Sequence, residues 1–95
     1  MLNSKQRAYL RSLANKTEPI VHVGKTGVNE NLIKQIDDAL EAREIVKITV
    51  LNNSSEEAKG ISDDIANSTN SEVVQVIGKK ITLYRKSKKT VIVLP

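Results

Sequence analysis

Four consecutive residues, Gly24-Lys25-Thr26-Gly27, combine the types that hold an anion. Two glycines without Cβ atoms let another backbone approach closely and allow positive φ. Lys25 brings a mobile charge and Thr26 a hydroxyl donor. A helix starting behind the turn would add unpaired N–H groups and the positive end of its dipole. Gly24-Lys25-Thr26 also matches the last three fixed positions of the phosphate loop G-x-x-x-x-G-K-[ST], but that motif needs a glycine five residues before Gly24, and Pro19 stands there. The stretch between Val23 and Asn29 is too short to wrap a triphosphate, and no later strand ends in an aspartate that would help hold magnesium. Nucleotide hydrolysis is therefore set aside. A G-x-x-G turn suited to a phosphate backbone remains, and so does its alternative, a strand-to-helix turn that uses glycine for geometry alone.

Other residue types narrow the chemistry further. The chain has no cysteine, which removes disulfides, thiolate zinc sites and cysteine nucleophiles together, and its single histidine excludes an imidazole metal cluster. That histidine, His22, shares a strand face with Ile20, and a packed or half-exposed structural role is a simpler reading than a general base. Adjacent residues on a helix point about 100° apart, so Asp37-Asp38 and Asp63-Asp64 read as a solvated acidic face that repels a polyanion. Nothing in the spacing brings Ser, His and Asp together. The sequence offers no catalytic residue, no metal ligand, no cofactor motif and no small-molecule substrate site.

Charge is distributed in blocks. Residues 1–36 hold six Lys/Arg against two acids, residues 37–72 three against nine, and residues 73–95 six against none. If the two basic ends meet in space, one face becomes a positive patch suited to a polyanion. Candidate contacts are Lys5, Arg7 and Arg11 near the start, then Lys79, Lys80 and Arg85, with Lys86, Lys88 and Lys89 behind them. The only aromatic residues are Tyr9 and Tyr84, too few for a stacking platform. Recognition is thus expected to rest on phosphate contacts and RNA shape, with a strong salt dependence; KH domains clamp RNA with a loop of the same G-x-x-G pattern.

These residues need elements to position them. The 95 residues suffice for one domain, 1–95, burying roughly 60–70% of the extended-chain surface. Asn3 or Ser4 caps a first helix running to about Ala14, with Tyr9, Leu10, Leu13 and Ala14 as its apolar stripe. Ile20 to Val23 reads as a strand. Asn29 caps a second helix reaching about Arg43, with Val28 and Ile33 as a hydrophobic staple and Ile33, Ile36 and Leu40 facing the core. Ile45 to Leu51 follows as a central strand. Ser54 and Glu57, at capping-box spacing, open a third helix that buries Ala58, Ile61 and Ile65, is weakened by Gly60 and ends at a left-handed Asn70. Val73 to Ile77 and Ile81 to Arg85 form a hairpin through Gly78-Lys79-Lys80, where glycine suits a type II′ turn. A basic and apolar arm, 86–95, is either an added edge strand or a packed segment. The resulting fold class is α/β (α+β), α-β-α-β-α-β-β, with helices on a four-stranded mixed sheet. No stretch is long and apolar enough to span a membrane, and the first residues lack a signal peptide's apolar region, so a cytoplasmic location is expected.

Several separated motifs share one resemblance. Lys5-Gln6-Arg7-Ala8-Tyr9-Leu10-Arg11-Ser12-Leu13-Ala14, Pro19 to Val23 with Gly24-x-x-Gly27, Ala39-Leu40-Glu41-Ala42, and Val74-Gln75-Val76-Ile77-Gly78-Lys79 leading to Leu83-Tyr84-Arg85 closely resemble the bacterial YhbY family, stand-alone CRM domains. Asn70, where the family commonly has glycine, and Arg43, where it commonly has histidine, depart from the pattern. The resemblance implies a fold like the C-terminal domain of bacterial translation initiation factor three. It further implies a protein that binds ribosomal RNA in large-subunit precursors through Gly24, Lys25, Thr26, Gly27, Lys5, Arg7 and Arg11; that the protein is a monomer without catalytic activity is a separate expectation. A protein-interaction adaptor, or an RNA-binding or translation factor unconnected with ribosome assembly, is the alternative.

Overall fold

The computed structural model describes residues 2–24, 27–51 and 57–95. Its elements are α1 (Ser4–Ala14), β1 (Val21–Val23), α2 (Glu30–Arg43), β2 (Ile45–Val50), α3 (Ala58–Thr69), β3 (Glu72–Ile77) and β4 (Lys80–Tyr84), in the expected order. The four strands form one mixed sheet in the order β1-β2-β4-β3. β1 runs parallel to β2, while β4 is antiparallel to both of its neighbours. The last strand therefore inserts into the sheet and leaves β3 on the edge. Burial accounts for this: Ile81, Thr82, Leu83 and Tyr84 are all buried, whereas β3 fully buries only Val74. A strand covered on both faces belongs inside a sheet.

Strand alternation builds a core on each face. Val21, Val23, Val46, Ile48, Val50, Ile81 and Leu83 point to one side and pack against Leu32, Ile36 and Leu40 of α2 and Ile61, Ile65 and Ala66 of α3. Ile45, Val74 and Tyr84 point to the other and pack against Leu10 and Ala14 of α1, with Leu2, Leu13, Ile92 and Leu94 around them. Tyr9, expected in the α1 stripe, is instead 40% exposed, because Leu10 and Ala14 set the buried line and Tyr9 falls to its flank.

Local chemistry fixes the helix ends. Asn3 and Gln6 form a reciprocal capping box at α1. The Asn29 side chain accepts the Leu32 amide at 2.9 Å, and Val28 and Ile33 both pack onto the core at this end. At α3 the structure differs from expectation: Glu57 is the N-cap and makes no side-chain cap, while Ser54 lies outside the described residues. Asn70 closes α3 in the left-handed region at φ 54°. Gly78 alone takes positive φ, 57°, in the two-residue turn between Ile77 and Lys80, as a type II′ hairpin requires.

The segment after β4 forms no strand and packs as an arm over the α1 core. Its anchor is Glu44, a buried residue between α2 and β2. The Glu44 carboxylate accepts the Ser87 amide at 2.6 Å, the Ser87 hydroxyl at 2.9 Å and the Ile92 amide at 2.5 Å.

Candidate functional site

Two turns meet at one end of the sheet. β1 and β2 are parallel and in register from Val21↔Ile48 to Val23↔Val50, so both chains leave at the same edge. The Leu51 amide donates to the Val23 carbonyl at 2.8 Å and holds the two exits together. Gly24 follows directly, and the Gly27 amide returns to the Gly24 carbonyl at 3.0 Å. Gly27 has φ 71°, where a Cβ would be strained; Gly24 has no such angle, and a Cβ there would meet only Leu51 Cδ1 at 3.7 Å. The second glycine is thus the one the backbone demands. Lys25 and Thr26, the expected tip of the site, lie outside the described residues.

The β3–β4 hairpin arrives at the same end. The Val50 amide donates to the Lys79 carbonyl at 2.7 Å, and Lys80 pairs with Thr49. Lys79 and Lys80 are both exposed. Sequence separates them from Gly24 by more than fifty residues, and strand pairing brings them beside it. Behind the glycine turn, α2 begins with Glu30 in its first turn, so a carboxylate already stands near the positive end of this helix. An anion placed at this end would accordingly gain little from the helix dipole and would depend on the glycine turn and the lysines.

The remaining expected contacts fall into two groups. Lys5 and Arg11 are exposed on α1. Arg7, by contrast, donates through Nη1 to the Val73 carbonyl at 2.6 Å and the Val74 carbonyl at 3.3 Å, where a β-bulge shifts the register between Val73 and Gln75. It satisfies two carbonyls of the edge strand β3 at the point where the register shifts. Arg85 is also engaged inside the fold: it donates to the Asp37 carboxylate at 2.5 Å, to the Asp37 carbonyl at 3.0 Å and to the Thr69 carbonyl at 2.8 Å, with Glu41 at 3.5 Å. Asp37 consequently belongs to this clamp and not to the open acidic face expected of it.

The single positive patch expected from the charge blocks is divided. Lys79 and Lys80 accompany the glycine turn, whereas Lys86, Lys88 and Lys89 sit on the arm anchored at Glu44, beside the opposite end of β2. Lys47, unremarked in the sequence, extends Nζ to the Ala14 carbonyl at 3.1 Å and caps the C-terminus of α1. Among the described residues no cluster of His, Asp and Glu is arranged to hold a metal ion, and no helix is long and apolar enough to cross a membrane.

Comparison with known proteins agrees with this architecture. Residues 2–85 match the model of the CRS1 / YhbY (CRM) domain. The chain is 48% identical over 88 residues to "Probable RNA-binding protein YqeI" of Bacillus subtilis, covering 93% of this chain and 92% of that one. It is 34% identical over 94 residues to an "RNA-binding protein" of Haemophilus influenzae, covering 99% and 95% of the two chains. The solution structure of the Staphylococcus aureus protein SAV1595 superposes over the whole of both chains with a TM-score of 0.83 at 51% identity. With matching motifs, matching topology and near-complete coverage, the chain belongs to the CRS1 / YhbY (CRM) domain family.

Proposed function

We propose that this chain is a non-catalytic RNA-binding protein that grips a phosphate backbone at the end of the sheet where the Gly24–Gly27 turn and the Lys79-Lys80 hairpin meet. The observation that carries this reading is the Val50–Lys79 hydrogen bond of 2.7 Å, which sets two exposed lysines beside a glycine turn fit for close backbone approach. Lys25 and Thr26 supply a charge and a hydroxyl between the two glycines, and Arg11 and Lys5 extend the basic surface along α1. The names of the relatives point to the same class of partner. The natural target is ribosomal RNA in precursors of the large subunit, met by a monomer in the cytoplasm, with the whole chain 1–95 acting as one binding unit.

Gel-shift titration tests the site. Lys25→Glu and Arg11→Glu each weaken RNA binding without lowering the melting temperature; unchanged affinity in both variants overturns the proposed face. Sucrose-gradient sedimentation of the endogenous protein tests the target, with co-migration alongside immature large subunits as the expected result. Migration only with free protein would separate RNA binding from ribosome assembly.

A further inference from the structure

Beside the glycine turn, one transverse row of the sheet is left open. The partners His22↔Thr49, Thr49↔Lys80 and Lys80↔Ile77 run across all four strands. Their sequence neighbours Val21, Val23, Ile48, Val50, Ile81 and Val76 pack toward α2 and α3, so these four side chains share the face that carries α1. Yet α1 does not reach them. The helix crosses from β3, where Arg7 bonds Val73 and Val74, to β2, where Lys47 reaches Ala14, and the row containing Lys47 and Thr82 is the last it covers. Thr82 is buried at 1% exposure; one row further on, His22 and Lys80 are exposed, Thr49 is half-buried and Ile77 is 64% exposed.

We infer that this row is a platform for unpaired bases of an RNA strand whose phosphates follow Lys80, Lys79 and the glycine turn. The inference rests on the RNA-binding reading above and adds the form of RNA and the residues that meet its bases. Charge favours a polyanion: among the described strand residues on this face the only acid is Glu72, two rows away opposite Tyr84. Chemistry favours bases. The His22 imidazole offers a flat ring for stacking, Ile77 an apolar surface, and Thr49 a hydroxyl that can both donate and accept. Three interstrand spacings of about 4.8 Å make the row roughly 14 Å long, room for two or three splayed bases. A base-paired helix buries its base faces by stacking and can meet only the lysines and the turn.

The test compares two probes, unpaired RNA oligonucleotides of randomised sequence and a blunt RNA duplex, on the full chain. The double substitution His22→Ala with Ile77→Ser changes two exposed side chains. It should weaken binding of unpaired RNA about tenfold, the scale set by one or two stacked bases, while leaving duplex affinity and melting temperature unchanged. His22→Phe should tighten binding of unpaired RNA, since a larger ring stacks better. Equal affinity of the double variant and the native chain for unpaired RNA, with Lys25→Glu still impairing binding, overturns the platform and leaves the proposed function standing. Failure of the native chain to bind either probe overturns both.

Discussion

The Glu44 carboxylate and the Ser87 backbone amide, forty-three positions apart, meet at 2.6 Å in a site with no solvent exposure at Glu44. Burial pushes this carboxyl up, but hydrogen bonds from the Ser87 amide, the Ile92 amide, the Ser87 hydroxyl and the Val91 amide outweigh it and hold the group below its ordinary value of 4.5. Glu44 itself adopts φ 67°, an uncommon angle for a residue with a side chain, and its amide and carbonyl bond Leu40 and Arg85. One residue thus ties the end of α2, the exit of β4 and the C-terminal arm together.

Glu44→Gln should therefore destabilise the fold by about 1–3 kcal/mol at neutral pH, because an amide, with one acceptor oxygen, cannot take up these donors with the strength of a carboxylate. The pH dependence has a fixed sign. A carboxyl with a depressed pKa in the folded chain contributes stability that is present above its unfolded pKa and is lost as pH falls through the folded one. The native chain should lose this contribution below pH 4.5, and the gap between native and Glu44→Gln melting temperatures should narrow there. A gap that stays constant across that range would refute the assignment.

Arg85 should prove to be a structural residue. Its guanidinium is mostly buried, with an 18% exposed side chain, and it satisfies the carbonyls of Asp37 and Thr69 as well as two carboxylates. Arg85→Ala leaves those carbonyls without their donor and should cost about 1–3 kcal/mol. Arg85→Lys, which cannot make the forked contact, should recover only part of this loss. At a temperature where both variants remain folded, RNA affinity should stay near native. A large affinity loss with an unchanged melting temperature would return Arg85 to the binding surface.

Gly60 allows a prediction of the opposite sign. It lies inside α3 with helical backbone, is exposed, and would place a new Cβ with nothing within 4 Å. Gly60→Ala should stabilise by about 0.5–1 kcal/mol through lower unfolded-state entropy and better helix propensity, raising the melting temperature by roughly 2–8 °C. Thermal denaturation followed by circular dichroism measures this directly, and a decrease would mean that the start of α3 is held by something other than helix propensity.

These residues also mark how much a sequence of this kind discloses. α2 was legible in its bounds and in most of its buried face, since Asn29 caps it, it runs to Arg43, and Ile36 and Leu40 repeat at helical spacing, although Leu32 is buried and Ile33, expected on that face, is only partly so. Gly78 and Asn70 were legible because positive φ selects those residue types. The position of β4 was not, because a hairpin can join a sheet by either of its strands and local pattern does not say which. Glu44 carries no signal in the sequence and Arg85 reads there as a candidate RNA contact; only packing across the sheet reveals the donors and acceptors that surround them. The same holds for His22: strand alternation placed it on a face with Ile20, but where α1 stops decides whether that face is covered. The Gly24–Gly27 turn was recognised from residue types, while its neighbours Lys79 and Lys80 were placed beside it by strand pairing.

Lys79 and Lys80 give the sharpest separation of charge from fold. Both side chains are exposed, and the contact that fixes the hairpin to β2 is the Lys79 carbonyl, which no substitution of the side chain removes. Exposed charges contribute little to stability, so Lys79→Glu with Lys80→Glu should change the folding free energy by less than about 1 kcal/mol. Binding should respond strongly, because each lysine that neutralises a phosphate also releases a counterion. Replacing both should lower affinity and reduce the slope of log affinity against log salt by about 0.7 for each single-strand phosphate that is no longer neutralised. Titrations at several salt concentrations separate the outcomes: a lower affinity with an unchanged slope would mean that these lysines act through the shape of the hairpin, and an unchanged affinity would remove the hairpin from the phosphate path.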